Sequence, residues 1–236
     1  MTASAVSRDP LAGVGAEIEG VLASIGALRD AALEVVDQAG GRDLCRADLA
    51  ALRAPIEALL RRHEGFAAGA GIVAAPGVLA DAERWIEWWW ADRGSGFERL
   101  EVDLDADSAE FYDYTTTEWY REPERTRRSA VAGPYVDYIC THEYTFTLSV
   151  PLVHRGRFLG VAGADVLAQE VERAVLPELA RRDRVTVLVS GNGRVIASND
   201  AAFAPGVVLA RQDAARMLAP AGTAPGLPWA LLERRV

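Results

Sequence analysis

The chain has 236 residues, enough for one large domain or two small ones. Half of them are hydrophobic and a quarter charged, with mean hydropathy +0.04, a composition that builds a core and excludes disorder as the dominant state. The 25 basic and 34 acidic residues leave a net charge of −9, which repels a phosphate backbone and excludes nucleic acid as the expected partner. All the basic residues are arginine, so a Schiff-base lysine, a P-loop lysine and a lysine general base are absent.

Met1 to Pro10 lacks the basic and apolar runs of a secretory signal. The longest apolar stretch, Phe66 to Ala80, is broken by Pro76 and glycines and falls short of the ~20 residues of a membrane span. Cys45 and Cys140 are too few for a disulfide framework or zinc cluster. A cytoplasmic protein without membrane association is expected.

Val14, Ile18, Val21, Leu22, Ile25, Leu28, Ala32, Val35 and Val36 recur at helical spacing, which predicts a helix over 14–39 that Gly40-Gly41 stops. Asp43 is the expected N-cap of a second helix with Leu49, Leu52, Ile56, Leu59 and Leu60 on one face. A short strand is expected at Gly69 to Val73. Trp85 to Trp90 and Phe97 to Leu104 read as a hairpin around Asp92 to Gly96. Tyr144 to Val153 and Phe158 to Gly163 read as another around His154 to Arg157. Between them, Ala109 to Tyr138 reads as short helices and loops. A helix is expected from Asp165 to about Arg182. Val185–Val189 and Arg194–Ser198 then face each other across Gly191-Asn192-Gly193, a strong hairpin signal. Trp229 to Leu232 is a last apolar run. The class is α+β, with expected boundaries at 1–66 (N-terminal helices), 67–170 (antiparallel sheet) and 171–236 (linker helix and small β appendage).

Enzymatic signatures are missing: Gly-x-Ser-x-Gly, His-Glu-x-x-His and Gly-x-Gly-x-x-Gly do not occur. His142-Glu143 is the one weak hint of a metal ligand pair. No enzyme, metal or cofactor is expected. The tyrosines are more informative, because all six lie between Tyr112 and Tyr144. A buried phenol needs a hydroxyl partner, so such a cluster points to a polar, aromatic pocket lining, with an aromatic core edge as the plain alternative. On a strand, Ile86, Trp88 and Trp90 share one face and Trp85, Glu87 and Trp89 the other, so β-structure here is covered on both sides. Core packing explains most of those rings; Trp88 and Trp90 are candidates for a pocket wall. Asp137 and Asp165 stand in apolar company, where a carboxylate needs a cation or donors. The plain reading of Asp165 is an N-cap; the functional one has both carboxylates receiving an ammonium inside an aromatic cage.

Trp119-Tyr120, Gly133-Pro134-Tyr135-Val136-Asp137, Thr147-Leu148-Ser149-Val150-Pro151 and the run Gly156 to Asp165 resemble the Cache (double-Cache or PDC, PAS-like) sensor domains of bacterial chemoreceptors and sensor kinases. The resemblance covers roughly Gly69 to Asp165 and extends weakly to Val236. It implies long leading helices on a PAS-like antiparallel sheet, a ligand pocket in the first module and an abbreviated second module. Amino-acid-sensing members share Tyr, four residues, Arg, one residue, Trp-Tyr, then Tyr-x-Asp and a final Asp. This chain matches at Tyr112, Trp119, Tyr120, Tyr135, Asp137 and Asp165, but Thr117 stands at the Arg position. The resemblance therefore implies that the ammonium half of the pocket is kept and the carboxylate half has lost its charge.

The expected function is sensing of a small molecule, a cationic amine first, by a stand-alone domain. The alternatives are a binder of amino acids or other carboxylates using Arg121 or Arg125, and a ligand-free dimeric interaction module. Pairing of two copies through Ile18, Val21, Ile25, Leu28 and Ala32 is expected, as is a regulatory protein partner of unknown kind.

Overall fold

The computed structural model describes residues 11–92, 96–138, 143–210, 212, 217–223 and 226–235. The chain divides into two compact units. One is Gly20–Leu167; the other joins the residues up to Glu19 with those from Ala168 onward.

Helix α1 spans Ala12–Gln38 and ends where Gly40 and Gly41 take positive φ values of 61° and 94°, the left-handed region glycine enters at least cost. Its stripe of Ile18, Val21, Ile25, Leu28 and Ala32 is at most 2% exposed within a single chain. Burial of that stripe therefore does not require a second copy, and the argument for pairing through it falls away.

The second expected helix is two helices, α2 at Arg46–Ala50 and α3 at Arg53–Arg62. Pro55 explains the break: inside one continuous helix its ring would clash with the preceding turn, whereas in the first turn of α3 its missing N–H costs nothing. The N-cap of α2 is Cys45 rather than Asp43, with Asp48 accepting from the Cys45 backbone N–H at 2.9 Å.

The first unit is built on an antiparallel sheet ordered β3-β2-β1-β6-β5-β4. Its strands are β1 Ala67–Ala74, β2 Trp85–Asp92, β3 Gly96–Arg99, β4 Ala130–Val136, β5 Tyr144–His154 and β6 Arg157–Leu167. The β2–β3 turn, Arg93 to Ser95, lies outside the described residues, and β3 stops at Arg99, short of the expected Leu104. Arg155 and Gly156 join β5 to β6 with φ of 50° and 81°, the left-handed pair a two-residue hairpin turn demands. Between Tyr112 and Thr126 lie a 3-10 turn, Tyr114–Thr116, and helix α4, Glu118–Thr126.

Two expectations are corrected here. The segment read as irregular contains strand β4, which tolerates Pro134 because it is an edge strand with a bulge between Ala132 and Tyr135. Asp165 is not a helix cap: β6 continues through it to Leu167, and α5 begins at Ala168 and ends at Leu179.

The second unit has its own antiparallel sheet, β8-β7-β10-β9, from β7 Thr186–Val189, β8 Val195–Ser198, β9 Leu218–Thr223 and β10 Ala230–Arg234. The turn at Gly191 to Gly193 is closed by the Ser190 N–H donating to the Arg194 carbonyl at 2.9 Å. Val187, Val189, Val195, Phe203 and Leu218 form its core. Strand β9 carries Pro220 and Gly222 and has no periodic sequence signal.

Candidate functional site

Strand pairing sets the floor of the site. Trp90, Gly69, Asp165 and Thr147 lie side by side across β2, β1, β6 and β5; two residues along, Trp88, Gly71, Gly163 and Ser149 form the adjacent row. Three of these positions are glycines, and the indole of Trp88 lies over them. A Cβ on Gly69 would fall 2.6 Å from Trp88 Nε1, one on Gly71 2.9 Å from its Cε3, and one on Gly163 3.3 Å from its Cη2. The small residues thus let a large flat ring lie against the sheet.

Asp165 is 6% exposed, in a strand paired on both sides. Its Oδ1 accepts from Thr147 Oγ1 at 2.6 Å, and Thr147 Oγ1 in turn meets the Tyr135 hydroxyl. Burial, with the like charge of Asp137 added and the Thr147 bond opposing both, pushes the Asp165 carboxyl up to about 8. At neutral pH most Asp165 side chains in the ligand-free protein therefore keep their proton. Burial, followed by the Asp165 charge, also holds the Tyr135 phenol well above its usual range.

Above this floor is a cavity of about 40 Å³, room for roughly three waters. Six of the eight residues predicted from sequence line it: Trp88, Tyr112, Trp119, Tyr135, Asp137 and Asp165. Asp165 comes from near the C-terminal end of β6, Trp119 from the first turn of α4, and Tyr135 and Asp137 from β4 and the residue just past it. The strand missing from the sequence reading is thus the one that delivers two site residues.

Tyr120 and Trp90 do not line the cavity. Neighbouring residues on a helix point about 100° apart, so Trp119 and Tyr120 on α4 cannot both face it. Tyr120 turns into the core, 1% exposed, edge-on to Tyr114 at 5.3 Å and Phe158 at 5.7 Å. Trp90 is separated from Asp165 by Gly69, and the Trp88 indole covers that gap. Thr147 also lines the cavity, with Val73, Ile86 and Leu100 as apolar wall. Its signal in the sequence was its place in a strand opposite Asp165, which only the register reveals.

Among the described residues, none that lines the cavity is basic. Thr117, at the position where the resemblance expects Arg, caps α4 and donates from Oγ1 to the Tyr114 carbonyl at 2.7 Å. Arg121 and Arg125 stand on the exposed face of α4, and Arg125 is paired with Glu122 at 2.7 Å. Neither supplies the cavity with a counter-charge for a carboxylate. Among the described residues no three His, Cys, Asp or Glu side chains are placed to hold a metal ion; His142 lies outside those residues.

The opposite face of β2 has different chemistry. Glu87, 2% exposed, accepts from the indole N–H groups of Trp85 at 3.2 Å and Trp89 at 2.9 Å, and Arg99 approaches it at 3.5 Å. Arg46 of α2 and Arg53 of α3 lie over the Trp85 and Trp89 rings at 5.1 and 4.3 Å. The leading helices cover this face and leave the other to the cavity, as the alternation along β2 predicts.

Residues 61–173, which contain the whole cavity, match the family model for the methyl-accepting chemotaxis protein-like first PDC sensor domain. This chain carries a Cache (PDC) sensor domain. Known structures extend the likeness in fold to both units of the Cache chain. A structure described as methyl-accepting chemotaxis protein X superposes with a TM-score of 0.62 at 16% identity, over 97% of this chain and 96% of that one. The ligand-binding domain of the Pseudomonas aeruginosa PAO1 amino acid chemoreceptor PctB, in complex with L-Arg, gives 0.59 at 18% identity, over 95% and 89%. That of the P. aeruginosa PAO1 amino acid chemoreceptor PctC, in complex with GABA, gives 0.52 at 18% identity, over 96% of both chains. At such identities the superpositions establish the fold alone. No curated protein matches the sequence. Among the described residues no helix is long and apolar enough to cross a membrane.

Proposed function

We propose that this Cache domain senses a small cationic amine. Asp137 and Asp165 receive the ammonium, and Tyr112, Trp119 and Tyr135 offer ring faces and hydroxyls around it. The observation that carries this reading is the cavity's charge: two carboxylates line it and, among the described residues, no basic side chain does.

Burial strips the Asp165 carboxylate of solvent and the nearby Asp137 adds like charge, which together hold its proton to about pH 8. An entering ammonium reverses that balance. It lets Asp165 ionise and offers up to three donors to oxygens that now have few. Charge-assisted hydrogen bonds contribute roughly 1.5–3 kcal/mol each and a ring face about 0.5–2 kcal/mol. The cavity's volume favours a ligand of only a few heavy atoms. The chemoreceptor structures with bound L-Arg and GABA support an amine-bearing ligand in this fold; in this cavity no basic side chain among the described residues is placed to hold a carboxylate.

Isothermal calorimetry with n-propylamine and with glycine tests the reading. The amine is expected to bind more tightly than the amino acid, and Asp165→Asn to weaken the amine by tenfold or more. Tighter binding of glycine, or an amine affinity indifferent to Asp165→Asn, overturns it.

A further inference from the structure

The cavity holds one strong donor that the amine reading does not use. Trp88 is 5% exposed, and its Nε1 has no hydrogen-bond partner among the described residues. This N–H belongs to the very ring that lies on the glycine floor. The edge bearing Nε1 reaches over Gly69, and a Cβ placed on Gly69 would meet Nε1 at 2.6 Å and Asp165 Oδ2 at 3.5 Å. The free indole donor and the carboxylate oxygen not engaged by Thr147 therefore flank the same spot on the sheet.

The contrast with the neighbouring tryptophans sharpens the point. Trp85 and Trp89 sit on the same strand, and both indoles donate to Glu87. A buried N–H without an acceptor costs roughly as much as the hydrogen bond it forgoes. On strand β2 the indoles of Trp85 and Trp89 are satisfied by Glu87, while that of Trp88, in the cavity, is open.

Resting on the amine reading, we propose that the ligand carries a neutral hydrogen-bond acceptor a short distance from its ammonium, an amino alcohol or amino ether, and that Trp88 Nε1 donates to that oxygen while Asp165 holds the nitrogen. The acceptor is uncharged, because a carboxylate at that position would face Asp137 and Asp165 with no basic side chain among the described lining residues. It lies within a two-carbon reach of the nitrogen, because Nε1 and Oδ2 border one Cβ-sized position and the cavity is only about 40 Å³. Trp88 thus acts as the residue that selects among amines, while the carboxylates select for the amine itself.

Matched probes separate the two roles. Ethanolamine and n-propylamine have the same number of heavy atoms and are both cations at neutral pH; 2-methoxyethylamine and n-butylamine repeat the comparison with an oxygen that accepts but cannot donate. Calorimetry on the wild-type protein is expected to show each oxygen-bearing amine binding about tenfold more tightly than its hydrocarbon match, the worth of one buried hydrogen bond. Trp88→Phe, which keeps a ring over the glycines and removes the N–H, is expected to erase that preference. Equal affinity within each pair on the wild type overturns the proposal while the amine reading stands. A preference that survives Trp88→Phe also overturns it, since the oxygen is then read elsewhere. Should no amine bind at all, the amine reading and this proposal fail together. The wild-type pairs decide the matter even if Trp88→Phe does not fold.

Discussion

The two faces of strand β2 each bury a carboxylate close by, and the protein treats them in opposite ways. Glu87, under the leading helices, is met by two indole N–H groups and an arginine. Asp165, two strands away on the cavity face, has one hydroxyl donor from Thr147 and a second carboxylate, Asp137, for company. The first arrangement is closed: donor and acceptor capacity match, and the rings between them are stacked under Arg46 and Arg53. The second is open, with a carboxyl driven to protonate and an indole donor left over. Burial alone therefore does not decide how a carboxylate is held. What distinguishes Asp165 is how much of its bonding capacity the protein leaves unmet.

The largest effect expected from disturbing this contrast is on the closed side. Glu87→Ala leaves two buried indole donors unmet and Arg99 without its partner, and should cost about 3–5 kcal/mol, as breaking buried pairs does; urea unfolding measures it. If the loss stays below about 1 kcal/mol, Glu87 is not the satisfied partner described here.

On the open side the signature is a pH dependence. The folded protein keeps the Asp165 proton to about pH 8, whereas the unfolded chain releases it near its ordinary value of 3.8. Between those values the folded state binds more protons, so this group's contribution to stability falls as pH rises from about 4 to 8 and is flat above. The unfolding free energy of the wild type minus that of Asp165→Asn is therefore expected to decline steadily from pH 5 to 8. A difference independent of pH would show that Asp165 ionises normally.

Thr147→Val probes the side-chain donor that Asp165 has among the described residues. Because that bond favours the charged carboxyl, its loss should move the Asp165 midpoint upward, by under one pH unit for a bond worth about 1 kcal/mol. Carbon-detected NMR titration of the side-chain carboxyl reads the shift, and a downward move contradicts the network.

The smallest effect belongs to Tyr120, whose buried hydroxyl has no partner among the described residues. Tyr120→Phe should leave amine affinity unchanged and leave stability unchanged or raise it by up to about 1 kcal/mol. A weakened affinity would put Tyr120 back in the site.

The sequence shows most of this contrast, and physical reasons account for the rest. Alternation along Trp85 to Trp90 separates the two faces without a structure, since the period of a strand is fixed at two. Tyr112, Trp119, Tyr135, Asp137 and Asp165 are legible as a spaced motif. Tyr120 shares that motif yet faces the core, because adjacency in sequence becomes a large angle on a helix. Trp90 shares a face with Trp88, but the register places Gly69 beside it and lets the Trp88 ring intervene, which no spacing rule conveys. Strand β4 escapes detection because Gly133-Pro134 interrupts its pattern, and only an edge position makes that interruption tolerable.

The glycine floor also bears on the concentrations this domain can detect. With no Cβ beneath it, the Trp88 ring is held flat before any ligand arrives, so binding incurs little cost of ordering that side chain. Such preorganisation matters most for a very small ligand. Each non-hydrogen atom contributes at best about 1.5 kcal/mol, which limits a four-atom amine to about −6 kcal/mol, or a Kd in the tens of micromolar. If the ligand is the small amine proposed above, a detector built on this cavity is matched to abundant small metabolites rather than to trace signals, and it responds over a range where a tighter receptor would already be saturated.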